Sequence, residues 1–286
     1  MPAHPHPADV ALLNLAVADD GQSGSFLLGS GLVRHDGALY GGTGLAVAVA
    51  AMEAATDRDA LWATTQFVSQ PVMGATIDWA VESMAIGKRA AQLSVRATCE
   101  GAVAFVALGA TGIAVDDGLT GRYASMPRVS DPDSAPPRVQ AMPNVSFPDS
   151  WTLRMEMREA QVLEADGPSV AMWARFRDGQ AFTPAAIGFI ADFVPLGVAR
   201  SAGKLGAGAS LDNSMRFRGG AVDSEWVLLE LRGDFAHGGF GHGTVRVWTV
   251  DGMLLATGSQ SASMRYLVEP GEGVGGFGLG PAGPST

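Results

Sequence analysis

Apolar and polar positions alternate in short runs along most of this chain, and two longer stretches break the alternation by being apolar on every side. Alternation places successive side chains on opposite faces and predicts strands; an all-round apolar run of helical length predicts a helix enclosed by the core. Alternating runs lie near Leu61–Ser69, Thr76–Met84 and Ala91–Glu100, with a more apolar run at Ala102–Ala110. A second set lies at Ser210–Arg218, Glu225–Gly233, Gly243–Val250 and Leu254–Tyr266. Strands are also expected at Ser25–Val33 and Val170–Phe176, and a short helix or arm at Val10–Val17. The first enclosed helix opens at Gly41 and Gly42 and runs through small side chains to about Ala55. The second spans Phe182–Val198, with Thr183 as cap and Pro184 in its first turn. Pro195 disfavours a helical Val194 and is expected to stop or kink this helix there.

The order strand, enclosed helix, run of strands therefore occurs twice, and setting Tyr40 against Phe182 lays helix on helix. Between the copies, Pro127, Pro132, Pro136, Pro137, Pro143 and Pro148 fall in a stretch of little periodicity, read as a linker or an extended surface crossing. The expected organisation is a unit over residues 1–115, a linker over 116–150, a second unit over 151–268 and a Gly-rich disordered tail over 269–286. An antiparallel sheet curled around a central helix is the hot-dog unit. Two in tandem predict an α+β double hot dog.

Composition narrows the function. Of 286 residues, 47% are apolar and 17% charged, so a large buried core is expected. A formal net charge of −10 argues against nucleic acid, whose binding depends on clustered Lys and Arg. No membrane span is read, because Gly and Pro interrupt every apolar run of roughly 18 residues. The start lacks a signal-peptide pattern, which points to the cytoplasm. Cys99 is alone, excluding an internal disulfide and a cysteine-based zinc cluster. His237 and His242 in a Gly-rich hairpin lack partner carboxylates, so no metal and no cofactor are expected.

Two polar residues intrude on apolar surfaces. Asp192 lies in the second apolar helix, where a carboxylate must be neutralised or well hydrogen-bonded. Gln260 shares a strand face with Leu254, Ala256, Gly258, Ala262 and Met264, while Leu255, Thr257, Ser259, Ser261, Ser263 and Arg265 form the face read as solvated. Both could be satisfied structurally by nearby backbone. Ser210 precedes a strand in which strict alternation puts Ser210, Asp212, Ser214, Arg216 and Arg218 outward, unless a bulge intervenes; Asp212 competes with it for a role.

These segments carry a resemblance. IADFVPLG, SLDNSMRFRGG, the strand beginning EWVLLEL, and DGMLLATGSQSASMR resemble the TesB-type acyl-CoA thioesterases (thioesterase II), a double hot-dog family; LYGGTGLAVAVAAMEAA resembles its Gly-Gly helix start. The resemblance implies a catalytic set of Asp192, Ser210 and Gln260, with Ser where Thr is common and Asn213 where His is common. It implies hydrolysis of a fatty acyl-CoA by water, with Gly41 and Gly42 close to the substrate. Arg216 and Arg218 are candidates for the CoA phosphates, with Lys204 and Arg265 behind them. One complete site per chain, carried by the C-terminal unit, is expected, since Ala50 stands opposite Asp192 in the first helix. Phe189, Phe193 and Trp248 are expected to line the acyl tunnel. A homodimer or higher homo-oligomer is expected from the exposed edges of such sheets. The competing reading is a non-catalytic acyl-CoA or lipid-binding double hot dog. No Gly-x-Ser-x-Gly turn or helix-proximal Asp/His pair supports a serine hydrolase or a hydratase.

Overall fold

The structure is a computed structural model that describes residues 5–34, 36–138 and 154–268. Part of the expected linker, with Pro143 and Pro148, and the expected tail lie outside these residues, as does the side chain of Arg265. The chain forms α1 (Pro7–Leu13), β1 (Leu15–Val17), β2 (Ser23–Leu27), α2 (Gly41–Thr56), β3 (Asp59–Phe67), β4 (Thr76–Ile86), β5 (Ala90–Cys99) and β6 (Ala102–Gly112). There follow β7 (Met155–Glu159), β8 (Val170–Phe176), α3 (Pro184–Ile190), α4 (Val194–Ser201), β9 (Leu205–Ser210), β10 (Asp212–Phe217), β11 (Val227–His237), β12 (Phe240–Thr249) and β13 (Leu254–Val268).

All thirteen strands join one antiparallel sheet in the order β1-β2-β4-β5-β6-β3-β10-β13-β12-β11-β8-β7, with β9 also on β13. The two sets of strands meet where β3 pairs β10, Ala63 opposite Met215. The sheet's inner face packs on α2, α3 and α4. Nearly every residue of α2 is buried, because its run of Ala, Gly and Val lets strands approach from several sides. A methyl built on Gly42 would lie 2.3 Å from the carbonyl oxygen of Phe189, so α2 and α3 cross at a distance only glycine permits.

The second apolar segment departs from expectation. Thr183 does cap it, its hydroxyl accepting from Ala186 N at 2.9 Å. The break, however, falls at Ala191–Phe193, one turn earlier than expected, and Val194 opens a new helix instead of ending the old one. In a continuous helix the Pro195 ring would clash with the Ala191 carbonyl four residues back. Pro195 is tolerated only in the first turn of α4, and Asp192 is left in the break.

Two β-bulges correct the strand faces. Ser210 pairs Ala262, but Ser214 pairs Ser259, so the register along β13 slips by one residue around Leu211. A one-residue slip reverses the facing of every side chain beyond it. Leu211, expected inward, is 44% exposed, while Ser210 faces inward alongside Asn213, Met215 and Phe217. A second slip at Leu255 turns that side chain, expected to be solvated, into the main core.

The described part of the Pro-rich crossing packs over the outer face of the second strand set. Met126, Val129 and Ala135 cover Trp173, Trp226, Leu228 and Trp248 there, and Trp173 Nε1 donates to Ser130 O at 2.8 Å. Trp248 therefore lies on the opposite face from the expected tunnel, its indole N–H donating to Glu230 Oε2 at 2.9 Å.

Candidate active site

Asp192 is set in the break between α3 and α4, 8% exposed, against the start of α2. Four groups donate to its carboxylate. The Gly42 N–H reaches Oδ2 at 2.9 Å; Asn213 Nδ2 and Ser210 Oγ reach Oδ1 at 3.1 Å and 3.3 Å; and Gln260 Nε2 donates to Oδ1 as well. Gln260 Nε2 also donates to Ser210 Oγ at 2.7 Å. Gln260 is 1% exposed, and its Oε1 is buried with no hydrogen-bond partner among the described residues.

Each group arrives for a local reason. Asp192 occupies the helix break caused by Pro195, Ser210 is turned inward by the bulge at Leu211, and Gln260 points inward by the pleat of β13. Gly42 sits in the first turn of α2, where backbone N–H groups lack intrahelical acceptors and the helix dipole favours a negative charge. Gly41 lies closest: a methyl there would stand 2.7 Å from Asp192 Oδ2 and 2.9 Å from Ser210 Oγ.

Burial pushes the Asp192 carboxyl up from 3.8 to about 6, against the pull of the hydrogen bonds from Gly42, Gln260, Ser210 and Asn213. It is therefore ionised at neutral pH yet basic enough to take a proton near it. Tyr40, immediately before Gly41, packs edge-on to Phe189 with centroids 5.4 Å apart. Burial, and then the charge of Asp192, hold its hydroxyl well above its usual value, so it stays protonated.

The structure thus brings Asp192, Ser210, Gln260, Gly41 and Gly42 together. It does not bring Arg216 and Arg218 there. Both are exposed: Arg216 lies on β10, on the opposite face of the sheet from Asn213 and over Trp62 with its Cζ 5.4 Å from the ring centroid, and Arg218 follows the end of that strand. Asp212 is engaged elsewhere, its Oδ1 accepting from Ser261 N at 2.8 Å across the bulge. The Gly42 amide, expected close to the substrate, is instead spent on Asp192. Sequence reasoning gave no role to Asn213 or Tyr40. Asn213 could have been found by alternation from Met215 and Phe217 once the bulge was known.

The chain matches the model of the acyl-CoA thioesterase N-terminal domain over residues 33–112 and that of the acyl-CoA thioesterase C-terminal domain over residues 127–264. It belongs to the acyl-CoA thioesterase family. Within this family its fold is the TesB-type double hot dog. A proposed thioesterase from Novosphingobium aromaticivorans is 29% identical, with a TM-score of 0.77 over 91% of this chain and 99% of that one. An acyl-CoA thioesterase II, TesB2, from Mycobacterium marinum is 20% identical, with a TM-score of 0.71 over 90% of this chain and 98% of that one. A hot-dog protein of unknown function from Alicyclobacillus acidocaldarius is 19% identical, with a TM-score of 0.75 over 92% and 99% of the two chains. No curated protein matches the chain. No described helix is long and apolar enough to cross a membrane.

Proposed function

We propose that the chain hydrolyses a fatty acyl-CoA to the free fatty acid and CoA, with Asp192 as general base and Ser210 and Gln260 holding the attacking water. The observation that carries this reading is the convergence of a hydroxyl, a side-chain amide and a helix-start amide on one buried, ionised carboxylate. Water attacks the thioester carbon as its proton passes to Asp192; collapse then breaks the C–S bond, and the proton goes to the departing thiolate. The unpartnered Oε1 of Gln260 offers that water an acceptor and so fixes its direction of attack. Of the first four amides of α2, Gly42 N serves Asp192, and Thr43 N and Gly44 N return to Tyr40 O at 3.0 and 3.3 Å. Among the described residues that leaves the Gly41 N–H for the developing oxyanion.

The competing reading is a pocket that binds acyl-CoA without activating water. The crowding of three donors onto Asp192 Oδ1 favours it, since one must yield before water can take its place. Thiol release from acyl-CoAs of graded chain length separates the two. Turnover with an acidic limb near pH 6 supports hydrolysis, and saturable binding without thiol release supports the alternative. The same proposal includes a division into units at 1–115 and 151–268, a cytoplasmic location and a homodimer or larger assembly. Leu61 and Leu108, exposed on the outer sheet face, support the assembly.

A further inference from the structure

The Pro-rich crossing covers the outer face of the second strand set through Ala135 and then turns around the edge strand β7. Pro137 bridges Arg158, and Arg138 N donates to Met157 O at 2.8 Å. This turn brings the Arg138 side chain to the inner face, where its Nη1 meets the sulfur of the fully buried Met172 at 3.4 Å. Its Cζ lies 5.5 Å from the ring centroid of Phe193, the residue following Asp192. The inner face is otherwise apolar around it: Met155, Met157 and Met172 all belong to the main core.

A guanidinium in such a setting normally has a carboxylate beside it, because an unpaired interior charge is costly. Among the described residues no carboxylate lies within ion-pair distance of Arg138. Glu159, the nearest in electrostatic effect, is paired with Arg200 at 3.1 Å. A guanidinium carries five donors in a planar fork suited to carboxylate and phosphate, and a thioether sulfur is only a weak acceptor for one of them. Burial accordingly depresses the Arg138 pKa from its ordinary value.

We propose that Arg138 is the substrate's anion-binding residue, the guanidinium donors that have no partner among the described residues taking a carboxylate at the far end of the acyl chain or a phosphate of CoA beside Phe193. The proposal rests on the thioesterase reading of the Asp192 site. It replaces Arg216 and Arg218, which lie across the sheet, with a cation on the site's own face. The residue binds and selects substrate and takes no part in proton transfer.

The test is calorimetric binding of non-hydrolysable thioethers to the full chain: hexyl-CoA, 5-carboxypentyl-CoA, and the same two groups on N-acetylcysteamine. Wild type is compared with Arg138→Met and Arg138→Lys, and Arg138→Gln replaces the Met variant if that one fails to fold. Arg138→Met is expected to weaken the ligands that carry the recognised anion by about tenfold or more, and Arg138→Lys to recover part of the loss. Loss confined to the two carboxylated ligands identifies an acyl carboxylate. Loss confined to the two CoA ligands identifies a phosphate. An equal loss for uncharged hexyl-N-acetylcysteamine, or no loss for any ligand, overturns the role of Arg138 while leaving thiol release by the wild type intact. Failure of the wild type to bind any of the four overturns the thioesterase reading together with it.

Discussion

Asp192 owes its chemistry to a balance of opposed effects on one carboxyl group. Burial favours the neutral acid, four donors favour the anion, and the balance rests at about 6. Asn213 is the donor most easily removed without disturbing the water-holding pair. Because its bond stabilises the charged form, Asn213→Ala must raise the Asp192 pKa. The acidic limb of kcat against pH should move upward by as much as about one unit, with the alkaline plateau nearly kept. A pH-rate profile checks this, and an unmoved limb would show that Asn213 only fills space. Asp192, Ser210 and Gln260 were legible in the sequence because each is a polar residue where apolar pattern or resemblance demanded comment. Asn213 was not, because its inward facing depends on a one-residue slip that alternation alone does not reveal.

Elements fix the site through two close approaches. The first is the crossing of α2 over α3 at Gly42, where a methyl would lie 2.3 Å from a backbone oxygen that cannot rotate away. Gly42→Ala should destabilise the fold by about 1–3 kcal/mol by forcing the helices apart. It should also lower kcat, since the amide moves off Asp192. Urea unfolding beside thiol release reads both, and a variant of unchanged stability would contradict the packing argument. The second is the far end of α2, where Glu53 accepts from Ala60 N at 2.8 Å. Burial chiefly, then the neighbouring charges of Asp9 and Asp59, push its pKa from 4.5 to about 8. The folded chain thus keeps a proton that the unfolded chain releases at lower pH. Stability is full below the unfolded value, declines as pH rises from about 4.5 to about 8, and levels off above that. Glu53→Gln, which can still accept from Ala60, should flatten this decline in Tm; parallel curves for the two proteins would contradict it. The strands and the two apolar segments were readable because period two and all-round apolarity are strong signals. The Gly- and Ala-rich β9 was missed because it alternates weakly, and β7 because its alternation of Met155, Glu156, Met157 and Arg158 is too short to stand out beside the Pro-rich stretch before it.

Across the whole molecule the site belongs to neither half alone. Asp192, Ser210, Asn213 and Gln260 come from the second part of the chain, while Gly41, Gly42 and Tyr40 come from the first. The junction of β3 with β10 holds them in register, and a single main core runs through both parts. Repetition of the element order made the tandem architecture legible. Which strands would meet between the halves was not, because pairing partners distant in sequence leave no local pattern. The same limit hid the outer-face position of Trp248, whereas alternation already turned Arg216 and Arg218 outward, away from the site they were assigned to. The central claim is that this shared site uses Asp192 as a base, and thiol release from acyl-CoAs by wild type and Asp192→Asn tests it most directly. The account predicts a fall in kcat of about 10²–10⁴-fold with folding and substrate binding retained. Turnover by the asparagine variant equal to that of the wild type would contradict it.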